Sequence, residues 1–137
     1  MKKYFIALAA YLVLSSSSCE KFADHTTSIF FANTSTDTVS VCYTMAFPDT
    51  SLKDECLSNM VVLVPANSIR FDKKDWSKFI GEEIPGNKVI FFVIPGAVNR
   101  MINSDRWPTV RDNYDVLKRY ELTVQELDSL GWRVSYP

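Results

Sequence analysis

Short apolar runs alternate along this chain with clusters of turn-forming residues, and most runs have the length of a strand. Residues 26–32 (Thr-Thr-Ser-Ile-Phe-Phe-Ala) are β-branched and aromatic, as strands are. Asn33, Ser35 and Asp37 supply turn chemistry. In residues 38–44, Val39, Val41 and Tyr43 share one side, and Thr38, Ser40 and Cys42 the other, a period of two that marks a half-buried strand. Together the two runs predict an antiparallel hairpin. Residues 47–59 read as an irregular loop with Pro48 as breaker. Residues 60–64 predict a strand, Pro65 opens a turn, and residues 68–72 predict a return strand. Asp72 stands where it would cap a short helix over residues 73–80, in which Trp76, Phe79 and Ile80 form one apolar face.

The second half repeats the pattern. Val89 to Ile94 are six consecutive apolar residues between Pro85-Gly86 and Pro95-Gly96. Such a bounded run predicts a central strand covered on both faces. Residues 105–113 read as a helix start with Pro108 at an early position, and Trp107, Val110 and Tyr114 at helical spacing. Residues 116–122 fit either a continued helix through Leu117 and Tyr120 or a strand, and the strand is preferred. Thr123 and Glu126 have the spacing of a capping box. Val124, Leu127 and Leu130 follow as an apolar stripe, and Gly131 supplies a left-handed stop. Trp132, Val134 and Tyr136 then alternate as a last strand. The expected fold class is α+β: a mostly antiparallel β-sheet or sandwich of about six strands with two or three short helices, after a cleaved signal peptide.

The first residues obey a different pattern. Lys2 and Lys3 precede an apolar run of 11 residues from Tyr4 to Leu14, then four serines and Cys19. These are the charged, apolar and small-residue zones of a secretory signal. The run is shorter than the roughly 20 residues a spanning helix needs. A cysteine after small residues resembles the lipobox of bacterial lipoproteins, although Ser16 stands where a leucine is usual. The resemblance implies cleavage before Cys19 and acylation of its sulfur and new amine. The alternative is an ordinary secretory signal with an incidental cysteine. The expected organisation is a signal peptide over 1–18, a lipidated cysteine and tether over 19–25, and one globular domain over 26–137. The expected location is the bacterial cell envelope, as an outer-membrane lipoprotein on the periplasmic face or the cell surface. Lys21 and Asp24, interrupted by Phe22 and Ala23, loosely resemble the charged export signal of Bacteroides-type surface lipoproteins.

Composition narrows the classes. The 137 residues carry 15 basic and 16 acidic side chains. Without Lys2 and Lys3 the exported part holds 13 against 16, with neither sign clustered. Nothing in this balance points to nucleic acid or to an anionic membrane surface. Cys42 and Cys56 remain after Cys19. Export permits a disulfide between them, closing a loop of about 15 residues worth roughly 3 kcal/mol; two separate buried thiols are the alternative. They do not form a zinc site, which needs four close ligands.

The front of the domain (Ile29-Phe30-Phe31, Asn33, Val41-Cys42, Pro48-Asp49-Thr50) and its end (Trp107, Val110, Tyr114, Leu117-Lys118-Arg119-Tyr120, Leu127, Ser135-Tyr136-Pro137) resemble a family of small Bacteroides-type lipoproteins. The resemblance implies a taxon and a location. It carries over no catalytic residue.

Candidate chemistry is sparse. His25, the one histidine, lies in the tether, and a general base must be positioned. There is no Gly-x-Ser-x-Gly elbow. Glu82 with Glu83, Asp54 with Glu55, and Asp72 with Asp75 are local carboxylate pairs of the kind a small hydrolase would use. Asp49, Ser51, Asp54 and Glu55 offer oxygen to calcium without the loop grammar of a calcium site. Trp76, Trp107 and Trp132 would serve as a sugar-stacking or partner-binding row if exposed, though each has core-facing spacing. Arg119 beside Tyr120 reads as a structural partner for an acid across the sheet. No cofactor and no metal is implied. The expectation is a non-enzymatic protein-interaction or assembly module, held to the membrane by its lipid and partnered by an envelope protein. A carbohydrate-binding lipoprotein of a glycan-uptake system is the alternative, and a carboxylate-dependent hydrolase the third reading.

Overall fold

The computed structural model describes residues 27–98 and 104–137; the expected signal peptide, Cys19 and His25 lie outside them. Seven strands and four short helices follow in the order β1 (Ile29–Asn33), β2 (Val39–Thr44), α1 (Glu55–Ser58), β3 (Met60–Val64), β4 (Ser68–Asp72), α2 (Trp76–Lys78), β5 (Lys88–Pro95), α3 (Trp107–Asn113), β6 (Lys118–Thr123), α4 (Val124–Ser129) and β7 (Arg133–Tyr136). They build two sheets, β4-β1-β7 and β3-β2-β5-β6. Every pairing is antiparallel except the one between β1 and β7. This is the expected α+β sandwich, with seven strands in place of about six.

β5 explains the layering. Successive side chains of a strand point to opposite faces. Val89, Phe91 and Val93 enter the core between the two sheets, with Phe31, Val41, Trp76 and Leu127. Ile90, Phe92 and Ile94 enter a second core on the other face, with Cys42, Cys56, Leu52, Trp107 and Val110. The four-stranded sheet is thus the middle layer, between the three-stranded sheet and a layer of α1, α3 and loops. Tyr120 of β6 clamps the sheets by donating to Ser135 O of β7 at 2.5 Å. Burial pushes its hydroxyl pKa up.

Several expectations change. The hairpin over residues 26–44 does not form, because β1 and β2 belong to different sheets. The intervening turn is a corner that carries the chain between layers. Asn33 braces it: Nδ2 donates to Asp37 O at 2.7 Å and to Val64 O at 3.1 Å, while Oδ1 accepts from Ser35 N at 3.0 Å. β2 is not half-buried, since Ser40, Cys42 and Thr44 lie under the helical layer. The turn after β3 is a second corner, and β4 pairs with β1. Gly96 closes the exit of β5 against the first corner, donating to Thr38 O at 3.0 Å.

The helix expected over 73–80 starts at Trp76, and its cap is Asp75, which accepts from Lys78 N. Asp72 instead accepts from the Trp76 indole at 2.9 Å. The helix then widens into a π-helical turn, Phe79–Glu83, which keeps Trp76, Phe79 and Ile80 in the core. The preferred strand over 116–122 is present as β6, and the Thr123–Glu126 capping box is complete. Leu130 leaves the expected stripe and is exposed at the end of α4. Tyr114 is the left-handed cap that ends α3.

Candidate functional site

Cys42 on β2 and Cys56 on α1 are joined as a disulfide, with Cα atoms 5.4 Å apart and both residues buried. Around this staple the acids of the irregular loop are already engaged. Asp54 Oδ1 accepts from the Trp107 indole at 2.9 Å and from Arg111 Nη1 at 2.5 Å. Those two donors, the indole foremost, hold its carboxyl below the usual range. The Thr44 hydroxyl donates to Glu55. Asp49 pairs with Lys53 at 2.6 Å and accepts from Ser51 N at 2.9 Å, which depresses its pKa, the Lys53 contact most of all. The acids therefore fasten the loop to α3 and to itself, and do not converge as ligands. Among the described residues no group of three or more His, Cys, Asp or Glu could hold a metal.

The other carboxylate pairs are also separated by their partners. Asp72 is taken by Trp76 and Asp75 by the start of α2. Glu82 and Glu83 sit exposed on the π-helical turn. Arg119 pairs with Glu121 on its own strand at 3.1 Å, and not with an acid across the sheet as expected.

The tryptophans do not form an exposed row. Trp76 is 0% and Trp107 3% exposed, because each indole N–H reaches a carboxylate while the ring fills one of the two cores. Trp132 is half-buried beside the first core, and its indole donates to Asp128 at 2.8 Å. Trp76 also forms a cage with Tyr43 and Phe79 that the chain fills with its own Lys74. The ammonium lies 5.3 Å from the Trp76 ring and 5.1 Å from the Tyr43 ring, and donates to Tyr43 Oη at 3.2 Å. A cleft of about 340 Å³ lies between the end of β5 and α3, lined by Pro95, Val98, Arg106, Thr109, Val110 and Asp115. Its volume suits a small ligand, and the charged side chains among its described lining, Arg106 and Asp115, have opposite sign.

The most distinctive surface is the outer face of the three-stranded sheet. Phe30, Ile69 and Phe71 are 42%, 47% and 51% exposed there. Phe30 and Phe71 are register partners with ring centroids 5.9 Å apart. Arg133 lies opposite Phe30 on the other side, and Lys73 follows with Nζ 6.0 Å from the Phe71 ring. A continuous apolar strip flanked by polar groups is the usual mark of an interaction surface. It was not among the expected sites, although the sequence held a signal for it. Two adjacent aromatics in one strand must face opposite sides, so Phe30 and Phe31 cannot both enter one core.

No family model, no curated protein and no solved structure matches this chain. Among the described residues no helix is long and apolar enough to cross a membrane.

Proposed function

We propose that this chain is a lipid-anchored protein of a bacterial cell envelope, and that its folded part acts by binding and assembly, without catalysis. The observation that carries the reading is the run of Lys2, Lys3, 11 apolar residues, four serines and Cys19. The buried Cys42–Cys56 disulfide supports it, since such bonds persist in oxidising, extracytoplasmic compartments. The engagement of Asp54, Glu55, Asp72 and Asp75 in structural bonds favours binding over hydrolysis. The exposed strip of Phe30, Ile69 and Phe71 offers a surface to bind with. An outer-membrane location and kinship with small Bacteroides-type lipoproteins belong to the same proposal. The glycan-binding alternative loses two of its three stacking residues to the core.

The test is cell fractionation with Cys19→Ala beside the unmodified chain, followed by cross-linking in native membranes. The unmodified chain is expected in the membrane fraction with a cross-linked neighbour, and Cys19→Ala in the unprocessed form. Recovery of the unmodified chain in the soluble fraction would overturn the anchor. A membrane-bound chain with no cross-linked neighbour would overturn the assembly role.

A further inference from the structure

We infer that the outer face of the three-stranded sheet rests on the bilayer that carries the lipid at Cys19. Phe30, Ile69 and Phe71 enter the interfacial zone, and Lys73 and Arg133 meet lipid phosphates. The inference rests on the lipid-anchor reading and adds an orientation that the reading alone does not contain.

Three observations carry it. The first is composition. Strand register puts Phe30 and Ala32 of β1, Ile69 and Phe71 of β4, and Arg133 and Ser135 of β7 on this face. The acid of these strands, Asp72, lies opposite Ile29 on the core side and is bound to the Trp76 indole. Apolar and aromatic side chains bordered by cations, without acids between them, are what an amphipathic surface presents to a bilayer interface. Phosphate headgroups complement the cations.

The second is the leash. Seven residues, 20–26, separate Cys19 from Thr27. Fully extended, that stretch reaches at most about 30 Å, so the domain stays close to the membrane and even a weak docking contact becomes intramolecular.

The third is where the leash ends. Thr27 is pinned by its carbonyl, which accepts from Trp76 N at 3.1 Å. β1 begins two residues later, and Phe30, Phe71 and Arg133 are register partners at that end. Lys73 directly follows β4 there. The aromatic and cationic side chains therefore cluster at the anchor-proximal end of the sheet. The helical layer, with Tyr114 packed on Phe92, faces the other way.

The test uses the full lipidated chain in vesicles of phosphatidylethanolamine and phosphatidylglycerol, with and without bromine on the acyl chains. Phe71→Trp and, separately, Ile69→Trp place a fluorophore on the proposed face, and Tyr114→Trp places one on the opposite side. In brominated vesicles both face reporters are expected to lose most of their added emission, and Tyr114→Trp to keep it. Adding Lys73→Glu and Arg133→Glu to Phe71→Trp should restore emission. Flotation of the chain with the vesicles is read in the same samples. A chain that floats but shows unquenched face reporters, or equal quenching on both sides, overturns the docked face and leaves the anchor standing. A chain that does not float removes the anchor and this inference with it. Face reporters that are unquenched by bromine but shielded in native envelopes would assign the face to a protein, and overturn the bilayer as occupant.

Discussion

Phe30 and Phe31 are consecutive residues of one strand and serve opposite sides of the same sheet. Phe31 meets Phe91 edge-on across the inter-sheet core at 5.4 Å, and Phe30 lies against Phe71 on the outer surface. The two sides of the sheet should therefore differ in what they contribute to stability. Phe31→Ala removes a buried ring and is expected to cost about 3–5 kcal/mol. Phe71→Ser, on the exposed side, should cost less than about 1 kcal/mol. Denaturant unfolding of the two variants checks the contrast.

The Cys42–Cys56 bond ties α1 to the middle sheet across a sequence separation of 14. Its removal by Cys42→Ala with Cys56→Ala should lower stability by about 3 kcal/mol, mainly by freeing the unfolded chain. Because the bond is buried, the native protein should resist a thiol reductant until denaturant is added. Gel mobility without reductant, before and after that treatment, reads the second outcome.

Gly96 has a steric reason. A Cβ at that position would stand 2.5 Å from the Thr38 carbonyl oxygen, a backbone atom held in the corner between β1 and β2. Gly96→Ala must push the two segments apart, at about 1–3 kcal/mol. Gly81, where a Cβ meets nothing, is the control, and thermal unfolding of both alanine variants compares them.

Asp54, Asp49 and Glu126 all have folded pKa values below their ordinary range. The causes are the Trp107 indole with Arg111, the Lys53 ammonium, and the Thr123 backbone N–H of the capping box, respectively. A depressed carboxylate stabilises the fold fully above its unfolded pKa of about 4. It loses that contribution as pH falls toward the folded value. Melting temperature should therefore hold from neutral pH to about 5 and fall below about 4. Asp54→Asn should flatten part of the acid limb, and a pH series of melting curves measures it.

How far the sequence could be read follows the range of each interaction. The Thr123–Glu126 box and the continuous β5 were legible because their cause lies within a few residues. The disulfide was legible as a permitted pair, since the expected export and the spacing allowed it. Pairing between strands was not. Asn33 to Asp37 does turn the chain, but whether a turn makes a hairpin or a corner depends on cover for Ser40, Cys42 and Thr44, which comes from α1 and α3 much later. Asp72 was the expected cap, but the Trp76 indole took it and left the cap to Asp75. The exposed strip was missed because an apolar residue on β4 is ordinarily assigned inward. Only the β1 register shows that Ile69 and Phe71 share the outer side with Phe30.

The most direct test of the account is the mass of the N-terminal peptide of the mature chain, isolated from membranes of the native host. A lipid anchor predicts a peptide that begins at Cys19 and carries a diacylglyceryl group on its sulfur. An unmodified peptide, whether it begins at Cys19 or at another residue, would contradict the anchor.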